Sequence, residues 1–242
     1  MSELLQRLEQ GPHLLLDGGM GTMLMEAGLA GGVAPERLNL ERPELVEQVH
    51  RRYVEAGSEA LHANSFGANP IRLAAFGLAD RCAEINRRAV AIARAAEPRF
   101  VLGDMGPSGD YLPPVGDADP ARWRESFKVQ AAALIEAGVD GIHVETMGDL
   151  REAEAAQAAV RGLAPELPLL VSLTFDRKKR GFFTLMGDPL LPSLERLLAT
   201  GATGVGANCS IDSGDMRDLA AEALAAIEGR LVFQANAGAP QL

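Results

Sequence analysis

Three turns of one form recur along this chain: AGSEA at 56–60, AGVDG at 137–141 and TGATG at 200–204. Each follows an alanine- or leucine-rich run with helical spacing and leads into a short apolar segment. A glycine at that point ends a helix, because it enters the left-handed conformation without a side-chain clash. Short runs that read as strands lie at 13–17, 59–65, 100–105, 141–146, 167–175, 204–209 and 231–236, with helices such as 43–56, 81–96, 121–137 and 149–161 between them. Strand followed by helix, seven times over, predicts a parallel sheet with crossover helices.

At 242 residues the chain is close to the roughly 250 typical of a (β/α)8 TIM barrel, and that α/β fold is expected as a single domain over 1–242. An open doubly wound sheet is the alternative, but its GxGxxG turn does not follow the first strand; DGGMGT, from Asp17, has the wrong spacing. Only seven strands can be read, so the eighth is missing from the expected barrel. Either it belongs to residues outside these 242 or another segment completes the sheet, since an open gap leaves backbone groups unpaired.

A formal net charge of -10 argues against nucleic acid or an anionic membrane as partner, since both need a basic face. The one basic cluster, 177–180, reads as a solvated loop. No apolar run approaches the roughly 20 residues of a membrane span, and the first ten residues form an amphipathic pattern without the features of a signal peptide. Two cysteines make no disulfide framework. A cytoplasmic location is expected.

In a barrel of this kind, chemistry sits at the C-terminal ends of the strands. Those ends carry Asp17-Gly18-Gly19, His62 with Asn64, Asp104, Glu145, Asp176, Asn208-Cys209 and Asn236, a polar ring on an apolar cylinder. His62 and Asn64 alternate onto one face and Ser65 onto the other; His143 shares the interior face with Glu145 and reads as a core histidine. Met20, Met23 and Met25 read as soft packing around the first helix, and Trp123 with the YLPPVGDADP loop as surface structure framing the mouth. Cys82, inside a helix, fits no ligand motif. Cys209, taken on its own, reads as core packing.

The segments LLLDGGMGTML, RPELVEQVHRRYVEAGSEALHANSFGANPIRL, LGDMGPSGDYLPP, AGVDGIHVETMGDLREA, LPLLVSLTF, GVGANCS and QANAG resemble, in order and over nearly the whole chain, the homocysteine S-methyltransferase family. The similarity is greatest to the homocysteine-binding barrel of its cobalamin-dependent branch. The resemblance implies a zinc-dependent methyltransferase that makes methionine from homocysteine, the metal binding the substrate thiol as thiolate. Zinc catalysis of this type uses three protein ligands and leaves a fourth position open, and a zinc-bound thiol loses its proton outright.

The resemblance assigns Cys209 as the catalytic metal ligand and Asn236 as an oxygen ligand near it. It assigns Glu145 as acceptor for the substrate ammonium, and Asp17, Gly18, Gly19 and Asn64 as further substrate-binding residues. The family's other two ligands, adjacent cysteines in a glycine-rich motif at the eighth strand, do not occur in this chain. Zinc is therefore expected to bind weakly or not at all to these residues alone. The methyl donor is expected to be methylcobalamin on a separate corrinoid protein docked over the mouth. The alternatives are a corrinoid-linked methyltransferase acting on another methylated compound, and a barrel that binds without catalysis.

Overall fold

The computed structural model describes residues 2–11 and 13–238. Ten helices run in chain order among them: α1 (Glu3–Gln10), α2 (Met20–Glu26), α3 (Leu38–Glu41), α4 (Pro43–Glu55), α5 (Pro70–Ala74), α6 (Cys82–Ala95), α7 (Pro120–Glu136), α8 (Leu150–Leu163), α9 (Leu190–Ala199) and α10 (Ser213–Ala226). The strands are β1 (Ala60–His62), β2 (Phe100–Met105), β3 (Gly141–Met147), β4 (Leu169–Leu173), β5 (Asp176–Lys178), β6 (Gly181–Phe183), β7 (Gly204–Asn208) and β8 (Arg230–Gln234). Six of them form one parallel sheet in the order β1-β2-β3-β4-β7-β8.

Sequence reading and structure differ in strand count. The expected first strand, 13–17, reaches the sheet through a parallel bridge between Leu16 and Ala60, flanked by Glu59 N–H donating to Leu15 O at 2.9 Å and Asp17 N–H donating to Ala60 O at 3.1 Å. The main sheet is thus a curled portion of a barrel with this segment on one margin and β8 on the other. No closed eight-stranded cylinder forms among the described residues. The stretch 177–180 is exposed as expected but only partly loop: β5 and β6 pair as an antiparallel hairpin, and 179–180 form its turn. Arg177 lies over the Phe182 ring and donates to Asp215 and Asp218, which accounts for its charge.

The recurring glycines behave as their spacing requires. Gly57, Gly138 and Gly201 have φ of 102°, 82° and 107°. After α4, Gly57 N–H donates to Val54 O and Ser58 N–H to Tyr53 O; after α9, Gly201 N–H donates to Leu198 O and Ala202 N–H to Leu197 O. This is the paired bonding of a Schellman cap, and it turns the chain straight into the next strand. The opposite helix ends open on acids: Asp119, Asp149 and Asp212 accept from main-chain N–H groups of the first turns of α7, α8 and α10.

Strands β1, β2, β4 and β7 are buried along their whole length, as a parallel sheet covered by helices demands. The largest apolar cluster lies between sheet and helices, and Trp123 belongs to it. Its 1% exposure corrects the expectation of a surface residue. A smaller cluster of Leu4, Ala60, Phe100, Leu102 and Leu170 sits at the strands' N-terminal ends, where the apolar face of α1 covers it. Met20 and Met23 pack beside Leu24 as expected, whereas Met25 is exposed. No helix among the described residues is long and apolar enough to cross a membrane.

Candidate functional site at the strand ends

A cavity of about 1250 Å³ runs along the inside of the curled sheet, from Arg7, Gly204 and Arg230 near the strands' N-terminal ends to the C-terminal ends. Asp17, Gly18, Gly19, Asn64, Glu145, Cys209 and Asn236 all line it, as do His62, Asp104 and Asn208. The thiol of Cys209 therefore faces the cavity and not the hydrocarbon between sheet and helices. Cys82, by contrast, is 2% exposed and its thiol donates to Ala68 O in the core.

Backbone conformation at two strand exits fixes that heading. The register of β3 against β4 slips between Val144 and Met147, a bulge, and Thr146 within it has φ of 61°. Cys209 and Ser210 follow β7 with φ of 58° and 57°. Left-handed non-glycine residues cost on the order of 1–3 kcal/mol each and persist only where the surroundings hold them. Asn208 supplies the hold: its Oδ1 accepts from Thr146 N–H at 2.8 Å and its Nδ2 donates to Thr146 Oγ1 at 2.8 Å. The same Nδ2 lies 3.5 Å from Cys209 Sγ, and Thr146 Oγ1 lies 3.7 Å from it. Burial raises the Cys209 pKa, and the charges of Glu145 and Asp104 raise it further against the Thr146 hydrogen bond. In this environment the side chain is a thiol.

Beneath the cysteine runs a chain of buried polar groups that alternation on β1, β3 and β4 points into the barrel. Asp17 Oδ2 accepts from His62 N–H at 3.0 Å, and Asp17 Oδ1 lies 2.5 Å from His62 Nδ1. His62 Nε2 lies 2.8 Å from His143 Nδ1, and His143 Nε2 lies 2.7 Å from Ser172 Oγ. Burial disfavours a charge on His62, but Asp17 outweighs it, with Glu145 and Asp104 adding to the effect, and the pKa is pushed up to about 10. Burial and the neighbouring His62 charge both hold His143 well below the usual histidine value. The donors follow: charged His62 donates to Asp17 and to His143, and neutral His143 donates to Ser172. His143 is a core histidine with both nitrogens engaged.

Two carboxyls complete the interior. Glu145 Oε2 is 3.6 Å from His143 Nδ1, and burial raises its pKa against the opposing His62 charge. Burial, followed by the Glu145 charge, drives the Asp104 pKa well above the carboxylate range. Asp104 Oδ1 is buried with no hydrogen-bond partner.

Asn64 Nδ2 donates to Pro35 O at 3.0 Å and Asn39 Oδ1 at 2.8 Å, so its amide nitrogen pins the 35–39 segment beside the cavity. Gly18 has Tyr53 against it; an added Cβ would stand 2.9 Å from the phenolic oxygen. Asn236 is exposed just beyond β8, with its N–H donating to Ile211 O. Sequence reading did not single out Asp104, Ser172, Thr146 or Asn208 as a connected set. The available signal was the alternation of His143 with Glu145, but the partners that engage them come from other strands.

The cysteine end does not by itself fit a three-ligand zinc site. Among the described residues, one group of three His, Cys, Asp or Glu side chains has ligand atoms close enough for an ion, and Cys209 is not in it. His62, His143 and Glu145 form that group.

A sequence profile for homocysteine S-methyltransferase matches residues 14–242. The chain is 32% identical over 222 residues to methionine synthase of Mycobacterium tuberculosis, covering 84% of this chain and 18% of that protein. Against methionine synthase of Mycobacterium leprae it is 30% identical over 237 residues, covering 90% and 19%. It thus spans about a fifth of the length of these relatives. The metallated form of the homocysteine methyltransferase MmuM from Escherichia coli superposes with a TM-score of 0.83 at 27% identity, over 97% of this chain and 87% of that one.

Proposed function

We propose, because the chain belongs to the homocysteine S-methyltransferase family, that its strand-end cavity binds homocysteine and presents the thiol for methylation, yielding methionine. The observation that carries this is the convergence of Cys209, Glu145 and the Asp17–Gly19 turn on one cavity. Glu145 accepts hydrogen bonds from the substrate ammonium, a charge partner that compensates for the burial of both groups. Asp17 spends its carboxylate on His62, which leaves the main chain of Gly18 and Gly19 to approach the substrate carboxylate. Asn64 holds the neighbouring segment that walls the cavity. In the transfer, a bond forms between the substrate sulfur and the methyl carbon while the bond from that carbon to its donor breaks, its electron pair leaving with the donor, and the thiol proton passes to water.

Zinc on Cys209 would supply thiol ionisation when bound. Cys209 and Asn236 are too few donors to retain it firmly, and we expect weak binding at that sulfur. The methyl donor is a methylcorrinoid presented over the cavity mouth, in the cytoplasm. Calorimetric titration with homocysteine tests the substrate assignment. Binding should be detectable at millimolar or lower concentration and should weaken at least tenfold in Glu145→Gln. Equal affinity in that variant, or no binding to the native chain, would overturn it.

A further inference from the structure

We propose that His62, His143 and Glu145, with Asp104 beside them, form a divalent-metal site of nitrogen and oxygen donors inside the barrel, separate from the Cys209 sulfur. Their ligand atoms lie within 4.8 Å of one another. The two nitrogens that face each other share one hydrogen bond, and a bound ion would take the place of the proton between them. His62 commits Nδ1 to Asp17 and turns Nε2 to His143; His143 commits Nε2 to Ser172 Oγ and turns Nδ1 to His62. A carboxylate or hydroxyl on the outer nitrogen is how metal-bound imidazoles are oriented and made better donors.

His62 Nε2 and His143 Nδ1 are 2.8 Å apart, and Glu145 Oε2 is 3.6 Å from the latter. An ion of the zinc class holds such atoms at about 2.0–2.2 Å, so side-chain adjustments on the order of 1 Å suffice to enclose it. Asp104 adds an independent observation. It is 8% exposed, lines the same cavity, and leaves Oδ1 buried without a partner. Such an acceptor is costly unless a cation or donor reaches it. Two imidazoles with one or two carboxylates and an open side toward the cavity match the donor set of three-ligand catalytic sites. Glu145 can serve both roles assigned to it, with one oxygen on the ion and the other accepting from an ammonium. The inference does not rest on homocysteine being the substrate.

Titration of the purified chain with zinc(II), and with cobalt(II) followed by absorption, tests this. One equivalent should bind with micromolar or tighter affinity, and the cobalt spectrum should lack a thiolate charge-transfer band. Cys209→Ser should leave affinity and spectrum unchanged. His143→Gln and Glu145→Gln should each weaken binding at least tenfold, with circular dichroism confirming the fold. Absence of binding to the native chain, a thiolate band that disappears in Cys209→Ser, or undiminished affinity in a folded His143→Gln would each overturn the proposal. Homocysteine titration of metal-free protein reads the substrate assignment separately.

Discussion

Asn208 grips Thr146 by both ends of its amide, accepting from the main chain and donating to the hydroxyl, each at 2.8 Å. This couples the exit of β7 to the bulge of β3 and keeps Thr146 left-handed. Asn208→Ala should destabilise the protein by about 1–3 kcal/mol, the range for removing partners of buried polar groups. Loss of the nearby amide should also alter the rate at which Cys209 reacts with a thiol reagent, while buried Cys82 stays slow. Urea unfolding and labelling kinetics on the folded variant check the two effects.

The Asp17–His62 pair is buried and doubly bonded through ring and main chain. Asp17→Asn removes one charge and strands the other, and breaking a buried pair in this way costs about 3–5 kcal/mol. The denaturation midpoint should fall accordingly. An unchanged midpoint would mean that His62 is neutral in the native protein.

Gly206 on β7 stands opposite Val232 on β8, and an added Cβ would lie 1.7 Å from Val232 O. Backbone cannot yield as a side-chain tip does. Gly206→Ala should therefore cost about 3 kcal/mol or more and pry β8 from the sheet. Hydrogen exchange should show lost protection at Cys209 N–H, which donates to Gln234 O across that pair.

Glu152 tests how burial acts away from the cavity floor. Burial raises its pKa from 4.5 to about 7, even though Ser108 N–H and Oγ–H donate to Oε1 at 2.7 and 2.6 Å. A carboxyl with a raised folded-state pKa contributes stability that is full below 4.5 and is lost as pH rises through about 7. Glu152→Gln keeps an acceptor for Ser108 and removes the titration. The variant should match the native protein near pH 4 and exceed it at pH 8 by on the order of 3 kcal/mol, measured by urea midpoints at both pH values.

The strand-helix rhythm, the capping glycines and the strand-end positions were legible because each depends on neighbours a few residues away. The hairpin of β5 and β6 was not: Arg177 and Lys178 are charged and exposed, and their strand character comes from pairing across a turn and from Phe182 beneath Arg177. Trp123 could have been placed correctly, since Trp123, Phe127, Ala131 and Leu134 follow helical spacing on one face of α7 and are all buried. His62 offered no such pattern. Its partners Asp17 and His143 lie 45 and 81 residues away, and only the curl of the sheet brings them together.

Because Cys209 departs from β7 in a conformation that main-chain bonding enforces, its Cα–Cβ bond has a set bearing and one torsion alone places the sulfur. A guest entering the cavity meets an atom already aimed at it and need not expend affinity on recruiting a wandering side chain.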